Sequence, residues 1–386
     1  MSGISKHMLS KLPNVPTSIF AKMSKLAATH KAINLSQGFP DFKSSEVLIE
    51  LVAKAMKDGF NQYAPMQGLL SLREAVAHKI QQLYNYSYNP ESEITITAGG
   101  TQAIFTIITA FVHPGDEVII FAPAYDCYSP AIALNGGKVV EIVLASPDYH
   151  VPWENVKAQI SEKTRMIIIN SPHNPTGALL SEADMKELES IVKDTGIIVL
   201  SDEVYEHIIF DKNTHQSVAR FPVLAKNSFL VASFGKTFHN TGWKMGYCAA
   251  PEDLMSEFRK VHQFNVFNVN HPIQVALAEY LKEPEHYLSL PDFYQSKRDY
   301  FLKLIQPSSF KFKPASGTYF QLLHYDDITQ ENDEVFADRL TSEFGIASIP
   351  VSVFYETKLD LKVLRFCFAK KDETLEKAAE IINRIK

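Results

Sequence analysis

The stretch 229-FLVASFGKTFHNTGWKMGY-247 runs from an apolar, strand-like segment straight into a lysine and a glycine-containing turn. Lys236 admits three readings. A phosphate-binding P-loop needs Gly-x-x-x-x-Gly-Lys-Ser/Thr. Gly235, Lys236 and Thr237 supply its end, but the first glycine should stand where the chain has Leu230, and the run before the lysine is strand, not a glycine-rich cradle. A solvated loop lysine is the default for the residue alone, yet it leaves Ser233, Gly242, Lys244 and Asp202 unexplained. The third reading is an amine that forms a Schiff base with a carbonyl cofactor.

Working outward, FLVAS is one of a series of short, β-branched apolar runs. The others are ITIT (94–97), EVIIF (117–121), KVVEIVL (138–144), RMIIIN (165–170), GIIVL (196–200) and MGYCAA (245–250). Bounded by Gly, Pro, Asn or Asp, they read as buried strands. Helical patterns lie between several of them: TQAIFTIITAFV follows the first, and SEADMKELESIVKDT opens with Ser181 and Asp184 at capping-box spacing. This alternation predicts an α/β domain with a mostly parallel seven-stranded sheet. Toward the C-terminus the pattern is mixed. YFQLLHY and KVLRFCF look like strands, and DETLEKAAEIINRI closes the chain as an amphipathic helix with Leu375, Ala378, Ala379, Ile382 and Ile385 on one face. The expected division is a large domain over 46–285 and a smaller α+β domain built from 286–386 with the N-terminal segment 1–45.

Size and composition agree. A chain of 386 residues, 46% hydrophobic and 21% charged, has the make-up of a soluble globular protein of about two domains. A formal charge of −6 argues against a nucleic-acid or acidic-lipid surface. Cys127, Cys248 and Cys367 form no CxxC pair, which fits a reducing, cytoplasmic setting and offers no metal site. The opening MSGISKHMLSKLP has no apolar core of a signal segment, and no run approaches a membrane span.

Four polar or glycine clusters each follow a strand run: TAGGTQ, NSPHNPTG, SDEVY and SFGKT. Ligands of open α/β sheets bind outside the carboxyl ends of the strands, so these clusters can converge on one site. The Schiff-base reading makes demands there. Pyridoxal phosphate needs an acid beside its ring nitrogen, because the protonated ring is the electron sink. Asp202 is placed for that, or is simply a helix N-cap. A phosphate cup can form at Gly100, Thr101 and Gln102, which open a helix, with Ser233 and Lys244 adding a hydroxyl and a charge. Asn174 and Tyr205 offer donors to a ring hydroxyl; alternatively Asn174 is a turn residue before Pro175.

As a set, SQGFPDF, YAPMQGLLSLREAVA, TAGGTQ, APAYDCY, NSPHNPTGALL, SDEVYEH, SFGKTFHNTGWKMGY and VLRFCFA resemble, in order, the aspartate aminotransferase superfamily of fold-type I pyridoxal-phosphate enzymes. The TGWKMG ending resembles the branch of kynurenine aminotransferase/glutamine transaminase K and bacterial methionine aminotransferase. The resemblance implies that Lys236 carries the cofactor, Asp202 pairs with its ring nitrogen, and Asn174 and Tyr205 bind its ring oxygen. It implies Tyr125 stacked on the ring, and Gly100, Thr101, Gln102, Ser233 and Lys244 around the phosphate. It further implies Tyr63 reaching the neighbouring subunit's phosphate in a homodimer with shared sites. Arg365 would clamp the substrate carboxylate, helped by the Gly38 backbone; the bland alternative is a surface ion pair. Where many relatives have arginine this chain has Lys244, a point charge in place of a fork.

The implied reaction moves an α-amino group from an amino acid to a 2-oxo acid by a ping-pong cycle, with the freed amine of Lys236 as the general base. No arginine stands in IFAKM, SQGFPDF or YAPMQG to meet a second carboxylate, while Phe20, Phe39, Tyr63 and Met66 do stand there, as pocket or as plain core. The expected donors are methionine, aromatic amino acids and glutamine. The rival readings are a carbon–sulfur β-lyase and a regulatory protein that keeps the cofactor.

Overall fold

The computed structural model describes residues 9–13 and 15–386; the opening MSGISKHM, read above for a signal segment, lies outside them. The seven apolar runs all become strands of one sheet. They are β2 (Ile94–Thr97), β3 (Glu117–Ala122), β4 (Lys138–Val143), β5 (Thr164–Asn170), β6 (Ile198–Asp202), β7 (Ser228–Ser233) and β8 (Gly246–Ala249), after a two-residue β1 (Ile33–Asn34). Their spatial order is β2-β8-β7-β6-β5-β3-β4. β8 alone runs antiparallel to its neighbours β2 and β7, and every other pairing is parallel.

Both faces of this sheet are covered, which is why its strands read as unbroken apolar runs. Ile120, Ile168, Leu200 and Val231 pack on one side with Ala103, Ile104 and Ile107 of the helix Gly99–Phe111. Ile119, Ile167, Val199 and Leu230 enter the larger core on the other side. The predicted capping box is present: Ser181 Oγ accepts from Asp184 N, and the Asp184 carboxylate accepts from Ser181 N at the start of the helix Glu182–Val192.

The C-terminal strands form a three-stranded antiparallel sheet of β9 (Phe320–His324), β11 (Ile349–Pro350) and β12 (Val363–Cys367), in the order β11-β12-β9. The N-terminal segment joins this region: β1 pairs in parallel with β10 (Ile346–Ala347), and Leu35 O accepts from Cys367 N. The last helix is shorter than its sequence pattern, Asp372–Ile382, with Ile385 buried just beyond it.

Beneath the segment that follows β6 lies a buried ion pair. Lys79, on the helix Leu70–Tyr84, meets Glu206, whose side chain is 2% exposed. Glu206 also accepts from the hydroxyls of Tyr84 and Tyr247. Burial alone would raise the Glu206 carboxyl, but Lys79, with His207 and the Tyr84 hydroxyl, holds it down at about 2. Breaking such a pair leaves an uncompensated charge, at a cost of about 3–5 kcal/mol. Lys79→Met should lose that much in urea unfolding, and Lys79→Met with Glu206→Leu should recover most of it.

Candidate active site

The carboxyl ends of β2, β5, β6 and β7 share one edge of the sheet, and the register sets their last residues side by side. Asn170 of β5 is opposite Asp202 of β6, and Ser233 of β7 and Thr97 of β2 both face Gly246 of β8. Above this edge is a cavity of about 320 Å³, closed from the other side by Gly38, Phe320 and Arg365. Of the residues singled out in the sequence, Lys236, Asp202, Tyr205, Gly38, Gly100, Thr101, Tyr125, Asn174, Ser233, Lys244 and Arg365 all line it.

Lys236 sits in the four-residue helix Phe234–Thr237, capped by Ser233, whose Oγ accepts from Lys236 N at 3.4 Å. This removes the solvated-loop reading. Its Nζ lies 3.1 Å from Gly38 O and 2.9 Å from the hydroxyl of Tyr319. Burial, then the nearby Arg365 and Lys244 charges, pull its pKa from 10.5 to about 8, with Asp202 opposing. Near neutral pH a useful fraction is therefore the free amine, the nucleophilic and basic form.

Asp202 is 3% exposed and belongs to no helix cap. Its Oδ2 accepts from Tyr128 at 2.6 Å and its Oδ1 from Val204 N at 3.3 Å. Burial raises it to about 6, with both hydrogen bonds and Lys236 pulling it down. An ionised carboxylate so placed favours a cationic neighbour in the cavity.

Arg365 is 1% exposed and has no carboxylate within 4.0 Å among the described residues, so the surface ion pair is excluded. One terminal nitrogen donates to Asn174 Oδ1 at 2.7 Å and the other to Ser36 O at 3.0 Å, while Nε is unpartnered. Its guanidinium lies 3.9 Å from the Phe320 ring centroid. Because Asn174 accepts through its oxygen, it is more than a turn residue, and its amide nitrogen is left to donate. A desolvated guanidinium with an idle N–H is an anion receptor.

The helix Gly99–Phe111 begins at the cavity with free backbone N–H groups. Gly99 has a φ of +79°, and a Cβ there would come 3.6 Å from Lys244 Nζ, so the helix start and this cation close on one another. The cavity thus gathers three cations, Lys236, Lys244 and Arg365, against one carboxylate, Asp202.

Some expectations need correction. Gln102 does not line the cavity. Its carboxamide accepts from Ala98 N and reaches Thr106 and His262, because one further residue along the helix turns the side chain away from the opening. Tyr63, expected to serve a neighbouring subunit, stays outside the cavity of its own chain, as that expectation allows: it is 81% exposed and packs its ring against Phe267. Phe39 and Met66 do not line the cavity either; of the proposed apolar wall only Phe20 does. Three contributors went unnoticed in the sequence: Tyr128 behind Asp202, Ser36 behind Arg365, and Tyr319 beside Lys236. Tyr128 is the second tyrosine of APAYDCY and Ser36 opens SQGFPDF, so both lie in motifs quoted above; Tyr319 lies in a strand-like run with nothing to mark it.

With this geometry in hand, the comparisons agree. The model of the class I and II aminotransferases matches residues 30–382. The chain is a member of that family. It is 49% identical to the methionine aminotransferase of Escherichia coli, covering 97% of this chain and 98% of the relative. A crystal structure of an Escherichia coli methionine aminotransferase superposes with a TM-score of 0.94 at 48% identity, covering 98% of this chain and 99% of that one. The human kynurenine–oxoglutarate transaminase 3 is 33% identical over 96% of this chain and 89% of its own length. The fold is thus that of the fold-type I aminotransferases, as the sheet order indicates.

The Lys236 geometry gives a direct test in this aminotransferase. Reductive methylation of the cofactor-free chain, read by mass spectrometry at the Lys236 peptide, should rise with pH and reach half its maximum near pH 8, since only the free amine reacts. A midpoint above pH 10 would mean that the amine is solvated.

Proposed function

We propose that the chain is a pyridoxal-phosphate-dependent aminotransferase that takes the amino group of methionine, and of aromatic and other neutral amino acids, to a 2-oxo acid. The observation that carries this reading is Arg365. It is the one arginine lining the cavity among the described residues, fully desolvated, with no protein anion and an idle Nε. One α-carboxylate satisfies it, and no second arginine stands ready for a distal carboxylate. Phe20, Phe320, Ile104 and Met245 give the remaining walls an apolar character. The methionine and kynurenine transaminases among the relatives support the same substrate class.

The cavity fits the cofactor on three counts. The helix start, Ser233 and Lys244 suit a phosphate; Asp202 suits a protonated ring nitrogen; and Lys236 is an amine with a depressed pKa. Asn174 Nδ2 and the Tyr205 hydroxyl would be the donors for a ring oxygen, and Tyr125 would offer its ring for stacking. Bound there, pyridoxal phosphate supplies an aldehyde for amines and a ring that withdraws electrons from the substrate α-carbon. The protein's own part is then defined. Arg365 and Asn174 hold the α-carboxylate and so aim the α-hydrogen. Asp202, raised only to about 6, stays mostly ionised at neutral pH and would hold a ring nitrogen in its protonated form. Lys236 takes the α-proton on Nζ and returns it, and the aromatic walls keep water out.

A homodimer and the domain division at 46–285 belong to this proposal. Exposed Tyr63, Phe264 and Phe267, at 81%, 87% and 49%, form an apolar surface suited to a second copy. In the second copy, Tyr63 would reach the phosphate. Unpaired Cys127, Cys248 and Cys367 suit a cytoplasmic setting, and no helix among the described residues is long and apolar enough to cross a membrane.

The first experiment is the visible spectrum of the purified protein with pyridoxal phosphate. A band that methionine bleaches without any 2-oxo acid is expected, and Lys236→Ala should lack it. Faster turnover of aspartate or glutamate than of methionine would discard the substrate class. Arg365→Lys should lose the fork and cut kcat/KM for methionine by about 10- to 100-fold, chiefly through KM. Equilibrium sedimentation should give a dimer.

A further inference from the structure

Lys236 Nζ has two protein neighbours, and neither belongs to the strand–turn segment that carries it. Gly38 O, from the N-terminal loop, is 3.1 Å away, and Tyr319 Oη, just before β9, is 2.9 Å away. Tyr319 is itself fully buried, and its hydroxyl lies 2.5 Å from the same Gly38 oxygen. A phenol has a single O–H. With that proton given to Gly38 O, the hydroxyl oxygen turns only lone pairs toward Lys236. Gly38 O can accept from both, having two lone pairs.

We propose that Tyr319 is a further catalytic residue, whose hydroxyl oxygen, together with the Gly38 carbonyl, orients the amine of Lys236 for proton transfer. The proposal rests on the functional reading above. A neutral amine has two N–H bonds and one lone pair. Gly38 O and Tyr319 Oη are 2.5 Å from each other and so lie on one side of Nζ; together they draw its N–H bonds to that side and leave the lone pair for the other, toward the cavity that Lys236 lines. The proton leaves the substrate α-carbon as H⁺ and forms the third N–H bond, the C–H electron pair staying with the substrate side. Nζ becomes an ammonium whose other two N–H bonds keep their acceptors, so its charge forms where partners already exist. The same arrangement makes the base depend on how the C-terminal region sits: only with Gly38 and Tyr319 both docked is the lone pair aimed.

A packing role is the competing account. The Tyr319 ring meets Tyr205 at 5.2 Å and Tyr294 at 5.8 Å between centroids. Phenylalanine keeps every one of those ring contacts and removes the oxygen, with its bonds to Lys236, Gly38 and the Tyr205 hydroxyl, so Tyr319→Phe separates the packing role from the polar one and should fold.

The groups facing Lys236 are Asp202 at the end of β6, Tyr205 beyond it, Lys244 before β8, Arg365 and Cys367 on β12, and Tyr319. Only the last changes in the variant. Its oxygen favours the charged amine, so its loss should lower the Lys236 midpoint. Tyr319→Phe should therefore shift the half-maximal reductive methylation of Lys236 in the cofactor-free chain below that of the unaltered protein. In the loaded enzyme it should slow single-turnover bleaching by methionine about tenfold or more, a part of what a positioned base contributes. It should also enlarge the rate ratio between methionine and α-deuterated methionine, because the proton step then limits. A variant whose labelling midpoint and isotope effect both match the unaltered protein overturns the proposal. If the unaltered protein never develops the visible band, the functional reading has failed instead. The labelling midpoint, which needs no cofactor, then still decides whether Tyr319 holds the amine.

Discussion

A sheet that is apolar on both faces leaves polar groups only its ends, and most of this molecule follows from that constraint. β3, β5, β6 and β7 are buried between two cores, so hydrophobic side chains occupy nearly every position along them. Chemistry is confined to the residues where the strands stop. Parallel running then puts those stops on a common edge. The strand ends at Asn170, Asp202 and Ser233 come together because register and direction leave no other arrangement.

Having gathered polar groups at a dry edge, the fold exploits their desolvation. Burial moves Lys236 down to about 8 and Asp202 up to about 6, each toward neutrality, by disfavouring the charged form. The same burial leaves Arg365 charged, because a guanidinium does not give up its proton, and so it becomes a receptor waiting for an anion. These costs are offset elsewhere. The Lys79–Glu206 pair fixes the segment after Asp202 from beneath, with Tyr84 and Tyr247 completing its hydrogen bonds. Glu203, two residues from Tyr205, is likewise tied down by Ser201, His215 and Val218 N.

The two sides of the cavity come from different parts of the chain. The sheet edge supplies Lys236, Asp202 and the helix start, while the N-terminal loop and the C-terminal strands supply Gly38, Tyr319 and Arg365. β1 pairing with β10, and Leu35 with Cys367, binds those two contributors into one unit. The Lys236 amine touches the Gly38 and Tyr319 side as well as the sheet edge that carries it, which makes its orientation sensitive to their docking.

The sequence by itself determined the strands, their mainly parallel class, the family and the identities of Lys236, Asp202, Asn174, Lys244 and Arg365. Lys236, Asp202 and Asn174 stand out by a local pattern, an apolar run and then a polar cluster at its end, whereas the family, and with it Lys244 and Arg365, came from the resemblance of the motifs as an ordered set. Tertiary structure alone decided which side chains face the cavity. Gln102 lies one residue past Thr101 in the same motif, yet the helical turn of about 100° per residue sends it to His262 instead. Phe39 and Met66 fall in the expected segments, but loop geometry directs them elsewhere. Tyr319 and Ser36 belong to the site only through contacts with residues 83 and 329 positions away, which no local pattern encodes. Arg365 meets Ser36 because the N-terminal segment pairs with the C-terminal strands, and Tyr319 meets Lys236 where that region closes on the edge of the large sheet.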